Sequence, residues 1–119
     1  MDGISAYNEN AVTMQSRGRL IVMLYEGAIR FLNQALQELQ AGRFHEKGQL
    51  INKAVDIIDE LSFSLDAEAG GEVAANLRRL YVFMVRHLNE ANTRKDPQRI
   101  REVIALLEDL NQGWKAITS

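Results

Sequence analysis

Two runs of six consecutive apolar residues constrain what this chain of 119 residues can fold into. They occupy residues 20–25 and 80–85, and each lies in a segment that otherwise has the pattern of an amphipathic helix. A helix turns by about 100° per residue, so six apolar neighbours point in every direction around its axis. One buried stripe therefore cannot use all of them. Either these helices are central to a bundle, or part of their apolar surface is available to a partner.

Apolar residues recur every three or four positions along most of the chain, which predicts an all-α protein: an antiparallel four-helix bundle with an N-terminal arm. Gly42 is expected to end the first helix, and Asp96 followed by Pro97 is a typical helix start. The core stripes of the last two helices are predicted to begin at Val73 and to end at Ile117. The predicted helices cover residues 19–40, 44–65, 73–93 and 97–117.

The chain is predicted to have two parts, an arm at residues 1–16 and the bundle domain at residues 17–119. The arm is polar and lacks sustained periodicity, although Ile4 and Tyr7 stand out as apolar exceptions. Two interpretations stay open. The arm is either a terminus without fixed structure or a short apolar clip that lies over the bundle surface.

Composition excludes several classes of function. With 14 basic and 16 acidic residues the formal net charge is −2, which gives no general attraction to nucleic acid. The chain has no cysteine, no signal-peptide pattern and no apolar run long enough to span a membrane, so we expect a cytoplasmic protein that does not insert into membranes. No glutamate has a histidine three residues later, as a di-metal bundle would need. We therefore expect no enzyme activity, no metal and no cofactor.

Histidine phosphotransfer is an alternative, because such domains are also four-helix bundles of this size. His87 is the one candidate in the middle of a helix. Phosphotransfer families resemble one another in a lysine and a glycine shortly after the histidine, and the residues that follow His87 supply neither. Glu90, one turn away, would repel a phosphoryl group. A structural role for His87 is the simpler interpretation.

Several apolar residues miss the core stripes and are candidates for partner binding. On helical wheels Phe63, Val82 and Leu106 should project toward water, and Val22 and Phe83 are intermediate. Scattered exposed apolar residues are normal, but each one that a partner fully buries contributes roughly 1.5–3 kcal/mol. An amphipathic helix in a groove is the natural partner. The predicted partner-binding residues are Ile4, Tyr7, Val22, Phe63, Val82, Phe83 and Leu106.

Basic residues on the third helix have two interpretations. Arg78, Arg79 and Arg86 lie on one side of it, and a solvated face explains them adequately. Arginine beside an apolar patch also pairs with carboxylates of a partner, so a mixed interface remains open.

A series of short segments along the chain has a characteristic order and spacing. These segments are residues 4–7, 23–31, 57–61, 64–66 and 70–72, followed by Asn76-Leu77, Leu80-Tyr81, Leu88, Ala91-Asn92, Asp96, Glu102-Val103 and Trp114. In this order and spacing the chain resembles the flagellin-specific export chaperones of the FliS family over nearly its whole length. One departure is Ser16-Arg17-Gly18, where the family commonly has Ser-Pro-Gly, and this leaves the start of the first helix open.

The resemblance implies a fold and a function. It implies an antiparallel four-helix bundle that acts as a cytoplasmic export chaperone. Such a chaperone binds the disordered C-terminal segment of flagellin, prevents premature polymerisation and supports delivery to a component of the flagellar type III export gate. A generic helical adaptor for some other peptide remains an alternative, as does phosphotransfer.

Overall fold

The computed structural model describes the backbone of residues 3–68 and 71–118 and the side chains of residues 17–65 and 71–118. These residues form four helices and no strand, which confirms the all-α prediction. Each helix packs against its two neighbours in the cyclic order α1–α2–α3–α4. Neighbours are antiparallel: Lys47 near the start of α2, for example, donates to the carbonyl of Asn92 near the end of α3, at 3.0 Å. The helices are α1 (Gly3–Gln40), α2 (Phe44–Glu68), α3 (Gly71–Arg94) and α4 (Pro97–Thr118).

The end of α1 follows its local sequence signal. Gly42 has a positive φ of 78°, which a residue without a Cβ adopts at little cost. Its N–H donates to the carbonyl of Leu39 at 3.1 Å, and the N–H of Arg43 donates to the carbonyl of Glu38 at 2.9 Å. These two bonds form the Schellman motif that satisfies the last carbonyls of a helix. The predicted role of Gly42 is confirmed.

The connection from α3 to α4 combines the same kind of helix end with a side-chain cap. The N–H of Asp96 donates to the carbonyl of Ala91 at 3.0 Å, and Lys95 takes the left-handed position with a φ of 53°. The Lys95 ammonium lies 4.1 Å from the centre of the Phe44 ring. Asp96 Oδ1 then accepts from the N–H of Gln98 at 3.0 Å, so the predicted start of the last helix is confirmed.

The start of the first helix was predicted near Arg19, and this prediction is wrong, because α1 begins at Gly3. Residues 16–18 lack the proline that would break a helix, so nothing there forces the chain to leave it. Gly18 lies inside the helix, and its role is packing. A Cβ at this position would approach the Cγ2 of Thr118 in α4 to 2.5 Å, so the missing side chain permits close contact between the two helices.

The core is apolar and continuous along the bundle. Val73 and Ile117, predicted to belong to its stripes, are exposed, with 74% of the Ile117 surface accessible. They lie in the first turn of α3 and the last turn of α4. A repeat that alternates three and four residues drifts by about 20° per heptad on a straight helix, so Ile117 has rotated away from the seam. The largest fully buried side chains are Tyr25, Leu32, Ile51, Ile58, Met84, Leu88, Ile100, Val103 and Leu107.

Candidate functional site

A shallow apolar depression lies between α2 and α3. Its volume is about 200 Å³, comparable with an engineered cavity of about 150 Å³ that accepts benzene. It can therefore receive one aromatic or aliphatic side chain from a partner. The valines of α3 provide apolar walls, and polar residues of both helices stand at its edges. The lining residues are Asp59, Ser62, Tyr81, Val82, Val85, Arg86 and Asn89.

Exposed apolar side chains lie on both helices that form this α2–α3 groove. Phe63 on α2 is 75% exposed, and Val82 and Phe83 on α3 are 56% and 46% exposed. Val82 lines the groove, whereas Phe83 stacks on His87 on the side of α3 that faces α4. The exposure of Phe63 and Val82 confirms their predicted positions, Phe83 is more exposed than its predicted intermediate position, and Val22 is half-buried on α1 as predicted. Their role in partner binding stays a prediction. A single exposed apolar residue needs no explanation, but exposed apolar residues on both helices of one groove form a surface that a partner can cover.

Leu106 was predicted to project toward water, and this is wrong. Its side chain is half-buried and packs against the core. The wheel analysis weighted its charged neighbours on α4 and overlooked the buried Val103 and Leu107 on its other side. The side chains of Ile4 and Tyr7, the other two predicted contacts, lie outside the described residues.

Charges are separated across the α2–α3 groove. Asp56, Asp59 and Glu60 are exposed on α2, and Arg79 and Arg86 are exposed on α3. None of the ion pairs between described side chains joins these two sets. Asp59 on α2 and Arg86 on α3 line the groove itself. Asp56 lies one turn from Asp59 and Arg79 lies two turns from Arg86, so each extends the charge of its helix along the same side. The groove therefore has an acidic wall, formed by residues 56 and 59, and a basic wall, formed by residues 79 and 86.

His87 is held between α3 and α4. Its Nε2 lies 2.9 Å from Glu102 Oε1, and its ring stacks on Phe83 with a centroid distance of 4.8 Å and an angle of 25°. The histidine side chain is only 16% exposed. A carboxylate at Nε2 would repel an incoming phosphoryl group, so this geometry disfavours phosphotransfer. It favours instead a structural role in which His87 supports the ring of Phe83.

Two buried tyrosines lie beneath the groove. The hydroxyls of Tyr81 and Tyr25 are 2.5 Å apart, and the ring of Tyr25 lies 6.4 Å from that of Trp114. Burial raises the pKa of both tyrosines above the ordinary value. The hydroxyls therefore stay neutral and hydrogen-bonded at physiological pH. The two apolar runs thus bring two hydroxyls into the core, and these hydroxyls satisfy each other by hydrogen bonding.

A second depression lies on the opposite face of the bundle, between α1 and α4. Its volume is about 400 Å³, and the exposed Leu20 and Met23 belong to the same stretch of α1. Leu20 and Met23 were not among the predicted partner-binding residues, although the apolar run at residues 20–25 could have indicated their exposure. The lining residues are Arg19, Val22, Met23, Glu26, Lys115 and Thr118.

The described residues offer no arrangement for metal chemistry. Among them, no three histidine, cysteine, aspartate or glutamate side chains converge as metal ligands would. The described parts of the four helices also contain no stretch of the length and hydropathy that crossing a bilayer requires.

Comparison with known proteins gives consistent results over the whole chain. The family model for the flagellar protein FliS matches residues 1–119. The flagellar secretion chaperone FliS of Salmonella typhimurium is 44% identical over 121 residues, covering 98% of this chain and 90% of the relative. The flagellar secretion chaperone FliSB of Pseudomonas aeruginosa is 45% identical over 100 residues, covering 84% and 79%. The flagellar secretion chaperone FliS of Bacillus subtilis is 32% identical over 111 residues, covering 93% and 82%.

Proposed function

Because this chain belongs to the FliS family of flagellar secretion chaperones, we propose that it holds newly made flagellin in the cytoplasm by binding its C-terminal segment. In this state the segment is hidden from other flagellin molecules, so the client does not polymerise before export. The chaperone then supports delivery of the client to the flagellar type III export apparatus.

The exposed apolar surface around the α2–α3 groove is the observation that carries this proposal. Phe63 on α2 and Val82 on α3 are more than half exposed, and Phe83 is exposed on the side of α3 that faces α4. The bundle does not need these side chains for its own core. An amphipathic segment that folds onto the groove would bury them, with one anchoring side chain in the depression.

Binding of this kind is strong enough to protect a client and remains reversible. Coupled folding and binding of a disordered segment buries on the order of 1,000–3,000 Å² and costs roughly 2–5 kcal/mol in ordering. The rigid bundle contributes little further ordering cost, since its groove is already formed. The client segment therefore gains its structure only while it is bound, which suits release at the export apparatus.

The decisive experiment compares full-length flagellin with flagellin that lacks its C-terminal segment. Isothermal titration calorimetry should show binding of the full-length client and loss of that binding after truncation. A peptide that contains only the C-terminal segment should bind the chaperone as the full-length client does. Equal binding of both flagellins would overturn the choice of segment. Binding of neither would favour the generic helical adaptor.

We also propose that residues 1–16, whose backbone from Gly3 continues α1, bend away from that helix in the free protein to cover apolar surface, and yield this surface to the client. The support is the presence of two apolar residues, Ile4 and Tyr7, in an otherwise polar segment. Deletion of residues 1–16 should raise the affinity for flagellin or make the free protein self-associate, as sedimentation would detect. A variant with Ile4→Ser and Tyr7→Ser should behave in the same way. Unchanged affinity and unchanged sedimentation in both variants would rule out a clip.

Delivery needs a separate test, because it involves a second partner. The loaded chaperone should bind a cytoplasmic component of the export gate more tightly than the free chaperone does. Pull-down of that component with the chaperone alone and with the chaperone–flagellin complex would measure the difference. Equal capture by both forms would contradict a role in delivery of loaded client.

A further inference from the structure

The two walls of the α2–α3 groove carry opposite charges, and this separation limits which segments fit. We infer that the groove selects an amphipathic helix with one basic and one acidic flank, and that the charges set the direction in which the helix lies. This inference rests on the proposed function, since it takes the client segment as the occupant of the groove. To the proposed function it adds the charge pattern of the bound segment and the direction in which that segment lies.

Charged side chains lie on both sides of the depression. Asp56 and Asp59 stand on the acidic wall, and Arg79 and Arg86 on the basic wall. Asp59 and Arg86 both line the depression itself. A helix that places its apolar stripe in the groove turns one flank toward α2 and the other toward α3. Basic residues on the first flank and acidic residues on the second meet opposite charges along the whole contact.

Direction follows from the same geometry. A helix turned end for end in the groove keeps its apolar stripe against the valines and exchanges its two flanks. In the wrong direction its basic flank faces Arg79 and Arg86, and its acidic flank faces Asp56 and Asp59. Repulsion on both sides disfavours this orientation. The groove thus distinguishes the two directions of one amphipathic helix.

The arm of the chain itself lacks the required chemistry. Residues 1–16 contain Asp2 and Glu9 and no lysine or arginine, so the arm offers no basic flank to the acidic wall. A client with both flanks therefore has an advantage over the arm at this site. The depression between α1 and α4 differs, because Arg19 and Glu26 share its α1 wall while Lys115 stands on the α4 wall, so no acidic wall faces a basic one.

The test uses designed 18-residue helical peptides that share one leucine and phenylalanine stripe. One peptide has a lysine flank and a glutamate flank, a second has these flanks exchanged, and two more have only lysine or only glutamate on both flanks. Fluorescence anisotropy at low salt should show that the mixed peptides bind about fivefold more tightly than the single-sign peptides, as a few exposed ion pairs allow. The preference should shrink in 0.5 M NaCl, where screening is stronger.

The direction in which each mixed peptide lies in the groove is measured with a nitroxide label at the N-terminus of the peptide. The label should broaden NMR signals at opposite ends of the groove for the two peptides. A variant with Asp56→Lys, Asp59→Lys, Arg79→Glu and Arg86→Glu should reverse both patterns. Equal affinity for mixed and single-sign peptides, or one direction for both mixed peptides, would overturn the inference. So would binding of a peptide of residues 1–16 as tight as that of a mixed peptide.

Flagellin is titrated in parallel, so that the two ideas fail separately. If its C-terminal segment binds the groove and the charge reversal leaves its affinity and direction unchanged, the charge selection is wrong and the chaperone function stands. If the mixed peptides behave as expected and flagellin does not bind, the groove chemistry stands and the client is wrong.

Discussion

The two six-residue apolar runs, one in α1 and one in α3, are similar in composition, but their exposed side chains have different neighbours. Each contributes its tyrosine to the core, where the two hydroxyls hydrogen-bond at 2.5 Å. Each also leaves two large side chains exposed, Leu20 and Met23 in α1 and Val82 and Phe83 in α3. The cyclic order of the helices places the depressions beside these pairs on opposite faces of the bundle.

The neighbours of the exposed pairs differ. Beside Val82, the basic wall faces the acidic wall across the groove, and Phe63 is exposed on α2. Beside Leu20 and Met23, charges of both signs are mixed along α1 and no aromatic side chain joins the lining. An apolar run therefore reveals unused surface, and the arrangement of its charged neighbours distinguishes a docking groove from scattered exposure.

The largest expected effect comes from placing charges on the α3 run. The double change Val82→Glu and Phe83→Glu should weaken flagellin binding by about tenfold or more, because each side chain is about half exposed and a client gains about half of the roughly 1.5–3 kcal/mol of full burial from each. The free energy of unfolding should change by less than about 1 kcal/mol, since both side chains are about half exposed in the free protein. Calorimetry and urea unfolding measure the two quantities.

A matched polar change provides the control for this variant. Val82→Thr keeps the shape of the side chain and should reduce affinity less than Val82→Glu does. If the double glutamate variant instead loses more stability than affinity, the two residues belong to the core. The α3 run would then have no unused apolar surface, and the contrast with the α1 run would not hold.

The tyrosine pair tests what the two runs share. Tyr81→Phe leaves the hydroxyl of Tyr25 without this partner and should lower the free energy of unfolding by about 1–3 kcal/mol. Tyr25→Phe should have a similar effect. The double variant should cost less than the sum of the two, because it removes both hydroxyls together. Strict additivity in urea unfolding would mean that the hydroxyls do not interact.

The same pair predicts a loss of stability at alkaline pH. Burial raises the pKa of both tyrosines in the folded state above the ordinary value of 10.0. Above about pH 10 the unfolded chain releases these protons while the folded chain keeps them, so the unfolded state is favoured as pH rises. Each tyrosine contributes up to about 1.4 kcal/mol per pH unit in that range. The double phenylalanine variant should show a shallower decline in urea unfolding between pH 9 and pH 11.

Local signals in the sequence were sufficient for much of the fold. Gly42 and the pair Asp96 and Pro97 act within one turn of the chain, so the helix boundaries that they control were predicted correctly. No such signal separates residues 3–16 from the rest of α1, and the start near Arg19 was wrong for that reason. The left-handed Lys95 was not anticipated, because glycine is the usual residue there.

The candidate site was predictable only in part. A wheel for each single helix identified Phe63 and Val82, whose exposure depends on their own helix. It misplaced Leu106, whose burial depends on how α4 packs into the core. The pairing of an acidic wall on α2 with a basic wall on α3 depends on which helices are neighbours. A single sequence shows the charges but does not show that they face each other.

The smallest expected effect comes from the α1 run. The double change Leu20→Gln and Met23→Gln should leave flagellin affinity within about twofold, and the free energy of unfolding within about 0.5 kcal/mol, as is usual for exposed positions. Calorimetry of this variant beside Val82→Glu with Phe83→Glu measures the contrast directly. A loss of affinity comparable to that of the α3 variant would mean that the client covers both faces of the bundle. Apolar exposure alone, without separated charges, would then be enough for docking.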